Sequence, residues 1–192
     1  LNSIKLNDKF EDPIKNLYSI YLRKNKLTDL LIYAKKLTEI DEFNHQYNYQ
    51  LAYALDINNN FDEAIKHYEI YLNKDGKDKK KALNNIGSIY LKKNKPKIAL
   101  NYFLNAITYG EDKIILNNTL NCYIKLRDNV NADIFYQKAK HIDQDFIEFI
   151  FNKAEYLILN NKINEAIEIL EKNKDKPKFL ITLLRLYFNI GQ

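Results

Sequence analysis

The sequence predicts an all-α protein built as a stack of antiparallel helix pairs, and three observations support this. Small or apolar residues recur with spacings of 34, 35, 33 and 34 residues, at Leu30, Ala64, Ala99, Ala132 and Ala166. Glycine and proline are scarce, with four and three copies in 192 residues, which favours long helices. Short polar runs such as "KNK" and "NNN" precede each recurring residue and fit the turn between two paired helices.

The first helix of each pair carries an apolar stripe at the fourth, seventh, eighth and eleventh positions of the repeat. In the repeat that begins at residue 80, the stripe is Leu83, Ile86, Gly87 and Tyr90. Along the chain, the eighth position is Tyr18, Ala52, Gly87, Leu120 and Ala154. A small residue there lets the second helix approach closely, so we interpret Gly87 as a packing residue. Glycine costs about 1 kcal/mol relative to alanine inside a helix, and close helix contact offsets that cost.

The second helix carries the recurring small residue at the twentieth position of the repeat. Four residues later, at the twenty-fourth position, the chain has Ala34, Tyr68, Phe103, Tyr136 and Leu170. These side chains are expected to fill the space beside the close helix contact. In the fourth repeat, where the large Leu120 holds the eighth position, the register of the pattern is uncertain by about one residue.

This pattern closely resembles the tetratricopeptide repeat (TPR) family, and the repeat at 80–112 also has that family's Ala99, Phe103 and Ala106. The resemblance implies a right-handed superhelical solenoid, here predicted as a single solenoid over residues 11–192 after a lead-in at 1–10. The predicted repeats are 11–44, 45–79, 80–112, 113–146, 147–176 and a partial sixth at 177–192.

The two ends of the sequence lead to expectations about the parent protein. The chain starts at Leu1 and contains no methionine, so we expect either a removed signal or a segment of a longer protein. Because it ends inside a repeat, we expect further repeats or a capping helix beyond it. Its compartment is expected to be cytoplasmic or, if an N-terminal signal was removed, periplasmic. No apolar run reaches the length of a membrane span.

Catalysis, cofactor binding and nucleic-acid binding are not predicted. The three histidines fall at unrelated repeat positions, and the single cysteine, Cys122, lies among apolar residues, where a thiol behaves as a small hydrophobe. The net charge of +5 comes with only three arginines, fewer than nucleic-acid recognition favours. The dense basic run at 74–81 is expected to be a solvated loop. We therefore predict no enzyme activity and no metal or other cofactor.

The family resemblance implies that first helices line a concave groove that binds extended peptides. At the sixth position of the repeat the chain has side-chain amides, which we call the amide column: Asn16, Gln50, Asn85, Asn118 and Asn152. An amide carries both a donor and an acceptor, so a column of them can pair with a peptide backbone of any sequence. The alternative is that asparagine is a common polar filler in a protein from an AT-rich genome.

Neighbouring positions of the groove add further candidate binding residues: Tyr49, Tyr53, Lys81, Asn84, Ser88, Lys92, Asn117, Asn121 and Lys125. This lining is rich in amides, partly aromatic and mildly basic, which suits an extended partner segment of mildly acidic character. The leading hypothesis is a non-catalytic adaptor that binds another protein in this groove. Two alternatives are a structural subunit of a bacterial envelope or secretion assembly, docking through its convex face or ends, and the sensor domain of a ligand-responsive regulator.

Overall fold

The computed structural model describes residues 2–73, 78–141 and 146–191, with side chains in the first helix from Phe10 onward. Within these ranges the chain forms eleven helices and no strand. The helices are α1 (Asn2–Arg23), α2 (Leu27–Ile40), α3 (His45–Ile57), α4 (Phe61–Asn73), α5 (Lys79–Lys92), α6 (Pro96–Ile107), α7 (Lys113–Lys125), α8 (Asn129–Ala139), α9 (Ile147–Leu159), α10 (Ile163–Lys172) and α11 (Pro177–Ile190). The predicted all-α fold class is therefore confirmed.

Local sequence signals set where several helices begin. Asn44 caps α3, and its side chain accepts hydrogen bonds from two backbone N–H groups of the first turn. Asp112 and Asp128 cap α7 and α8, and the side chain of each accepts from one backbone N–H. Pro96 and Pro177 are the first residues of α6 and α11, where the missing N–H of proline costs no helical hydrogen bond. These caps satisfy backbone donors that a helix N-terminus otherwise leaves unpaired.

The turn between the two helices of a pair has the same geometry five times. Its central residue has a positive φ of 51° to 63°, at Asn25, Asn59, Asn94, Arg127 and Asn161. At one such turn, the Asn94 N–H donates to the Leu91 carbonyl (2.9 Å) and the Lys95 N–H donates to the Tyr90 carbonyl (2.8 Å). These two bonds define a Schellman motif, and the other four turns repeat both of them. Asparagine tolerates this left-handed conformation, which explains why the polar runs contain it.

The chain divides into two compact units, and the first is Leu1–Ile89. In this unit α2 packs against α1 and α3, and α4 packs against α3. The eighth-position Ala52 and the twentieth-position Ala64 are fully buried, as the repeat pattern predicts. Tyr18 and Leu30, the larger residues at these positions in the first repeat, are buried as well. Gly87 is buried inside α5, and its predicted close contact with the paired helix stays a prediction.

The second unit is Tyr90–Gln192, in which each helix from α7 to α11 packs against its predecessor in the chain, and α7 also packs against α9. Two groups of buried side chains form its core, one around Leu120 and Phe135 and the other around Leu170 and Phe179. In the fourth repeat the buried aromatic residue is Phe135, whereas the sequence pattern indicated Tyr136. Phe135 contacts Tyr123, with ring centroids 5.3 Å apart.

Three predictions about segments concern the lead-in at 1–10, the basic run at 74–81 and the extent of the solenoid. Residues 2–10, the predicted lead-in, already belong to α1. The basic run at 74–81 extends into a helix, because α5 begins at Lys79, while residues 74–77 lie outside the described ranges. The Lys81 ammonium there pairs with the Asp78 carboxylate at 2.8 Å, which ties the run to the first turn of the helix. The single solenoid over 11–192 stays a prediction.

Candidate functional site

In the first unit, Asn85 of the amide column is fixed by two tyrosines. Its Nδ2 donates to the hydroxyl of Tyr68 at 2.9 Å and to that of Tyr49 at 3.3 Å. Burial raises the pKa of both tyrosines, so their hydroxyls keep their protons and can donate onward. With both amide hydrogens engaged, the Oδ1 of Asn85 is the atom of this side chain that can accept a hydrogen bond from a partner.

Three tyrosine rings pack against one another beside the Asn85 amide. The ring of Tyr49 meets that of Tyr68 edge to face at 5.5 Å and lies 5.0 Å from the ring of Tyr71, measured between centroids. Tyr68 and Tyr71 are buried second-helix residues, so they anchor the half-buried Tyr49 on the first-helix face. Aromatic pairs at these distances add stability beyond the area they bury.

Gln50 has an unmet hydrogen-bonding requirement. In the described parts of the chain, its Oε1 is the one buried side-chain oxygen or nitrogen that has no hydrogen-bond partner. The backbone of the same residue is held, because its carbonyl accepts a bond from the Tyr18 hydroxyl at 3.4 Å. A buried acceptor without a donor costs about 1–3 kcal/mol. The sequence marked Gln50 as a column member, but this unmet acceptor depends on the packing around it.

The other predicted residues of the first unit form a polar surround. Asn16 and Lys81 are exposed, whereas Tyr53 is half-buried. Asn84 and Ser88 are also half-buried, and the Ser88 hydroxyl donates to the Asn84 carbonyl at 2.9 Å. The Ser88 bond is internal to α5, so it does not connect α5 to another helix of the site.

In the second unit, three of the predicted amides bond to one another. Asn152 of α9 donates from Nδ2 to the side-chain oxygen of Asn117 at 2.9 Å and to the Asn117 carbonyl at 3.3 Å. Asn121 donates in turn to the Oδ1 of Asn152 at 3.0 Å. Asn152 and Asn117 are only 3% and 1% exposed. We call these three residues the amide triad; it joins the first helices α7 and α9, an arrangement that the repeat pattern did not predict.

Next to the amide triad lies a cleft of about 240 Å³ between α7, α9 and α11. Asn121, Asn152 and Lys125 line it together with two residues that sequence reasoning missed, Glu155 and Arg185. The Glu155 carboxylate accepts from Thr182 at 3.3 Å and pairs with the Arg185 guanidinium at 3.4 Å. Both missed residues hold the ninth repeat position, which already supplied Asn121, so following that column further would have found them.

Two further predicted residues belong to the second unit. Lys92 is exposed near the end of α5, and Asn118 is half-buried on α7. Burial raises the pKa of the Cys122 thiol to about 12, so it stays protonated and unreactive at neutral pH. Among the described side chains, no group of histidine, cysteine, aspartate and glutamate is placed to hold a metal ion. None of the described helices is long and apolar enough to cross a membrane.

The family model of the tetratricopeptide repeat matches residues 45–69 and 80–111 of the chain. A comparison with curated proteins gives no match. Among solved structures, the chain resembles YrrB, described as a TPR protein with an unusual peptide-binding site, with 18% identity, a TM-score of 0.70 and 96% of each chain covered.

Two further structures have a similar fold. A tetratricopeptide repeat protein from Parabacteroides merdae matches at 16% identity and a TM-score of 0.77, covering 95% of this chain and 74% of the other. PilW, described as a type IV pilus biogenesis factor, matches at 17% identity and a TM-score of 0.76, covering 94% and 86%. At these identities the likeness establishes the fold. The chain therefore has the tetratricopeptide-repeat fold, and its described helices fit about five repeats and a partial sixth.

Proposed function

We propose that this protein is a non-catalytic interaction scaffold that binds an extended segment of a partner protein through the first-helix amides of its repeats. TPR proteins generally serve as protein-interaction scaffolds. The solved relative YrrB is described as having a peptide-binding site, which is a property of that protein and an analogy for this one. Each of the two units has its own polar first-helix surface, and the proposal assigns partner contacts to both surfaces.

The unpaired Oε1 of Gln50 is the observation that carries this proposal. Buried acceptors in folded proteins are nearly always hydrogen-bonded, and an exception calls for a reason. A backbone N–H from a partner segment would satisfy the acceptor and recover part of its desolvation cost. Asn85 supports the same reading, because its two tyrosine bonds hold the amide in one orientation and leave Oδ1 as the acceptor.

The first-helix amides therefore divide into two roles. Asn117 and Asn152 are buried and bonded to each other, so they brace α7 against α9 and would have to break those bonds to pair with a peptide. Asn85, in contrast, can accept through Oδ1 as it stands, whereas the buried Oε1 of Gln50 accepts a partner N–H once its side chain turns outward. We expect partner contacts at the half-buried amides and a supporting role for the amide triad.

The charges of the second-unit cleft favour an acidic partner segment. Lys125 and Arg185 contribute two positive charges against one negative charge from Glu155. Arg185 has five N–H donors, and its contact with Glu155 engages one nitrogen, so the guanidinium can also bind a carboxylate. Opposite charges at the rim of such a surface mainly raise the association rate and the specificity.

Selection from a randomised peptide library, followed by nuclear magnetic resonance, tests this proposal. We expect the selected peptides to be extended and enriched in aspartate and glutamate. Their addition should shift the side-chain amide signals of Gln50 and Asn85, whereas Asn101, which is exposed on the second helix α6, should not respond. Selection of no binding peptide, or shifts confined to second-helix amides, would contradict the proposal.

The two other roles suggested by the sequence stay predictions. A structural subunit of an envelope assembly would bind its neighbours through other surfaces, and its assembly would be insensitive to substitutions at Gln50. The sensor domain of a regulator would respond to a ligand rather than to extended peptides. The peptide selection therefore separates both from the proposed scaffold.

A further inference from the structure

A second cleft of the second unit has a lining of unusual charge. It encloses about 230 Å³ between α8, α9 and α10, and three lysines line it: Lys140, Lys153 and Lys172. No aspartate or glutamate is among its lining residues in the described part of the chain. The rest of the lining is mainly apolar, with Tyr136, Phe149, Ile150 and Ile169.

Lys153 is out of place in the repeat pattern. It holds the seventh position of the fifth repeat, which belongs to the packing stripe of the first helix. The corresponding residues in the other repeats are Leu17, Leu51, Ile86, Thr119 and Leu183. Lys153 is half-buried between the buried neighbours Asn152 and Ala154. A lysine at this position makes fewer apolar contacts than leucine and brings a charged ammonium group close to the protein interior. Helix packing alone therefore does not explain why a lysine holds this position.

The charges around the cleft repel one another. Lys172 pairs with Glu168 at 2.9 Å, but that carboxylate is exposed and lies outside the cleft lining. Like charges that line one small cleft raise one another's electrostatic energy, because salt screens little over distances below about 10 Å. A bound anion would relieve this repulsion.

The cleft wall indicates what the rest of a ligand would be. The ring of Tyr136 stacks on that of Tyr156, with centroids 4.2 Å apart, and lies nearly parallel to that of Phe149 at 6.2 Å. These contacts give the cleft a flat and rigid apolar wall. Its volume of about 230 Å³ lies below the usual range for drug-sized ligands, so a single ring or a short chain would fill it.

We propose that this cleft binds a small organic carboxylate with an apolar body. The apolar body of the ligand lies against Tyr136, Phe149 and Ile169, and its carboxylate forms ion pairs with the ammonium groups of Lys153 and Lys140. A free small molecule or the C-terminal residue of a peptide could each supply this chemistry. The site is independent of the amide triad, because Lys153 and Asn152 line different clefts on opposite sides of α9.

Titration of the isotope-labelled protein with 3-phenylpropionate and with its uncharged amide tests the inference. The acid should cause saturable shifts at the backbone amides of Ile150, Lys153 and Ile169 and bind at least about tenfold more tightly than the amide. A peptide that ends in phenylalanine, with its carboxylate free or amidated, forms the second arm. Saturation by the free acid assigns the site to a small molecule, and saturation by the peptide alone assigns it to a C-terminus. If neither probe saturates, or if the uncharged forms bind equally well, the proposal is wrong.

Substitutions at Lys153 separate binding from packing. Lys153→Gln keeps the length of the side chain and removes its charge, so it should weaken binding about tenfold, whereas Lys113→Gln, at an exposed lysine of the same unit, should not. Lys153→Leu restores the apolar residue of the repeat pattern and should raise the melting temperature while abolishing binding. Unchanged binding in Lys153→Gln would overturn the assignment of the carboxylate to this lysine.

Discussion

Replacing Asn152 with alanine should destabilise the second unit, because Asn152 is the centre of the amide triad. The change removes two bonds donated to Asn117 and one accepted from Asn121. Asn117 is only 1% exposed, so its Oδ1 loses a donor that water cannot easily replace, at a cost of about 1–3 kcal/mol. Asn121 is half-buried and can bond to water instead, so it adds little. We expect a total loss of about 2 kcal/mol.

Thermal unfolding followed by circular dichroism measures this loss. A loss of about 2 kcal/mol lowers the melting temperature of a chain of this size by about 4–8 °C. Asn16→Ala is the matched control, since Asn16 holds the same repeat position but is exposed, and its change should stay within about 0.5 kcal/mol. Equal melting temperatures for the two variants would refute the bracing role of the amide triad.

Three further predictions concern the fold. Arg127→Asn should raise the free energy of unfolding by up to about 1 kcal/mol, since Arg127 has a φ of 55° where the other four turns have asparagine; an unchanged melting temperature would contradict this. Gly87→Leu should cost about 1–3 kcal/mol in a urea titration, since Gly87 is buried inside α5 and is predicted to meet the paired helix, and a variant as stable as wild type would overturn the register. Burial lowers the pKa of His67 below 6.5, so the unfolded chain takes up a proton first on acidification. Stability should therefore fall as the pH drops below about 6.5, and His67→Gln should reduce that slope, as urea titrations at several pH values would show.

The repeat pattern predicted the helix pairs because each of its columns reports a local packing requirement. Ala64, Ala99, Ala132 and Ala166 are all fully buried, as the twentieth position requires. The pattern was wrong about the twenty-fourth position of the fourth repeat, because the buried aromatic residue there is Phe135 and not Tyr136. It also missed why asparagine recurs in the turns, since a positive φ becomes visible only in the backbone.

The candidate site was less predictable, because a sequence column records spacing and not hydrogen bonds. Asn85, Asn117 and Asn152 looked equivalent as first-helix amides. In the structure Asn85 bonds to two tyrosines, whereas the other two amides bond to each other and are buried. These differences depend on which side chains the neighbouring helices present. The second helix that supplies Tyr68 lies outside the positions from which the groove was predicted.

Gln50→Leu tests the binding proposal most directly. Leucine has a similar size and removes the unpaired Oε1, so the free energy of unfolding should rise by about 1 kcal/mol. The same change deletes the acceptor proposed for the partner backbone. Gln137→Leu, on the exposed face of the second helix α8, is the matched control.

The measurement is the dissociation constant of a selected peptide for wild type, Gln50→Leu and Gln137→Leu, alongside their melting temperatures. The proposed scaffold role predicts about tenfold weaker binding for Gln50→Leu alone, with a melting temperature at or above that of wild type. Equal affinity of all three proteins for the peptide would contradict the role of the first-helix amides in partner binding.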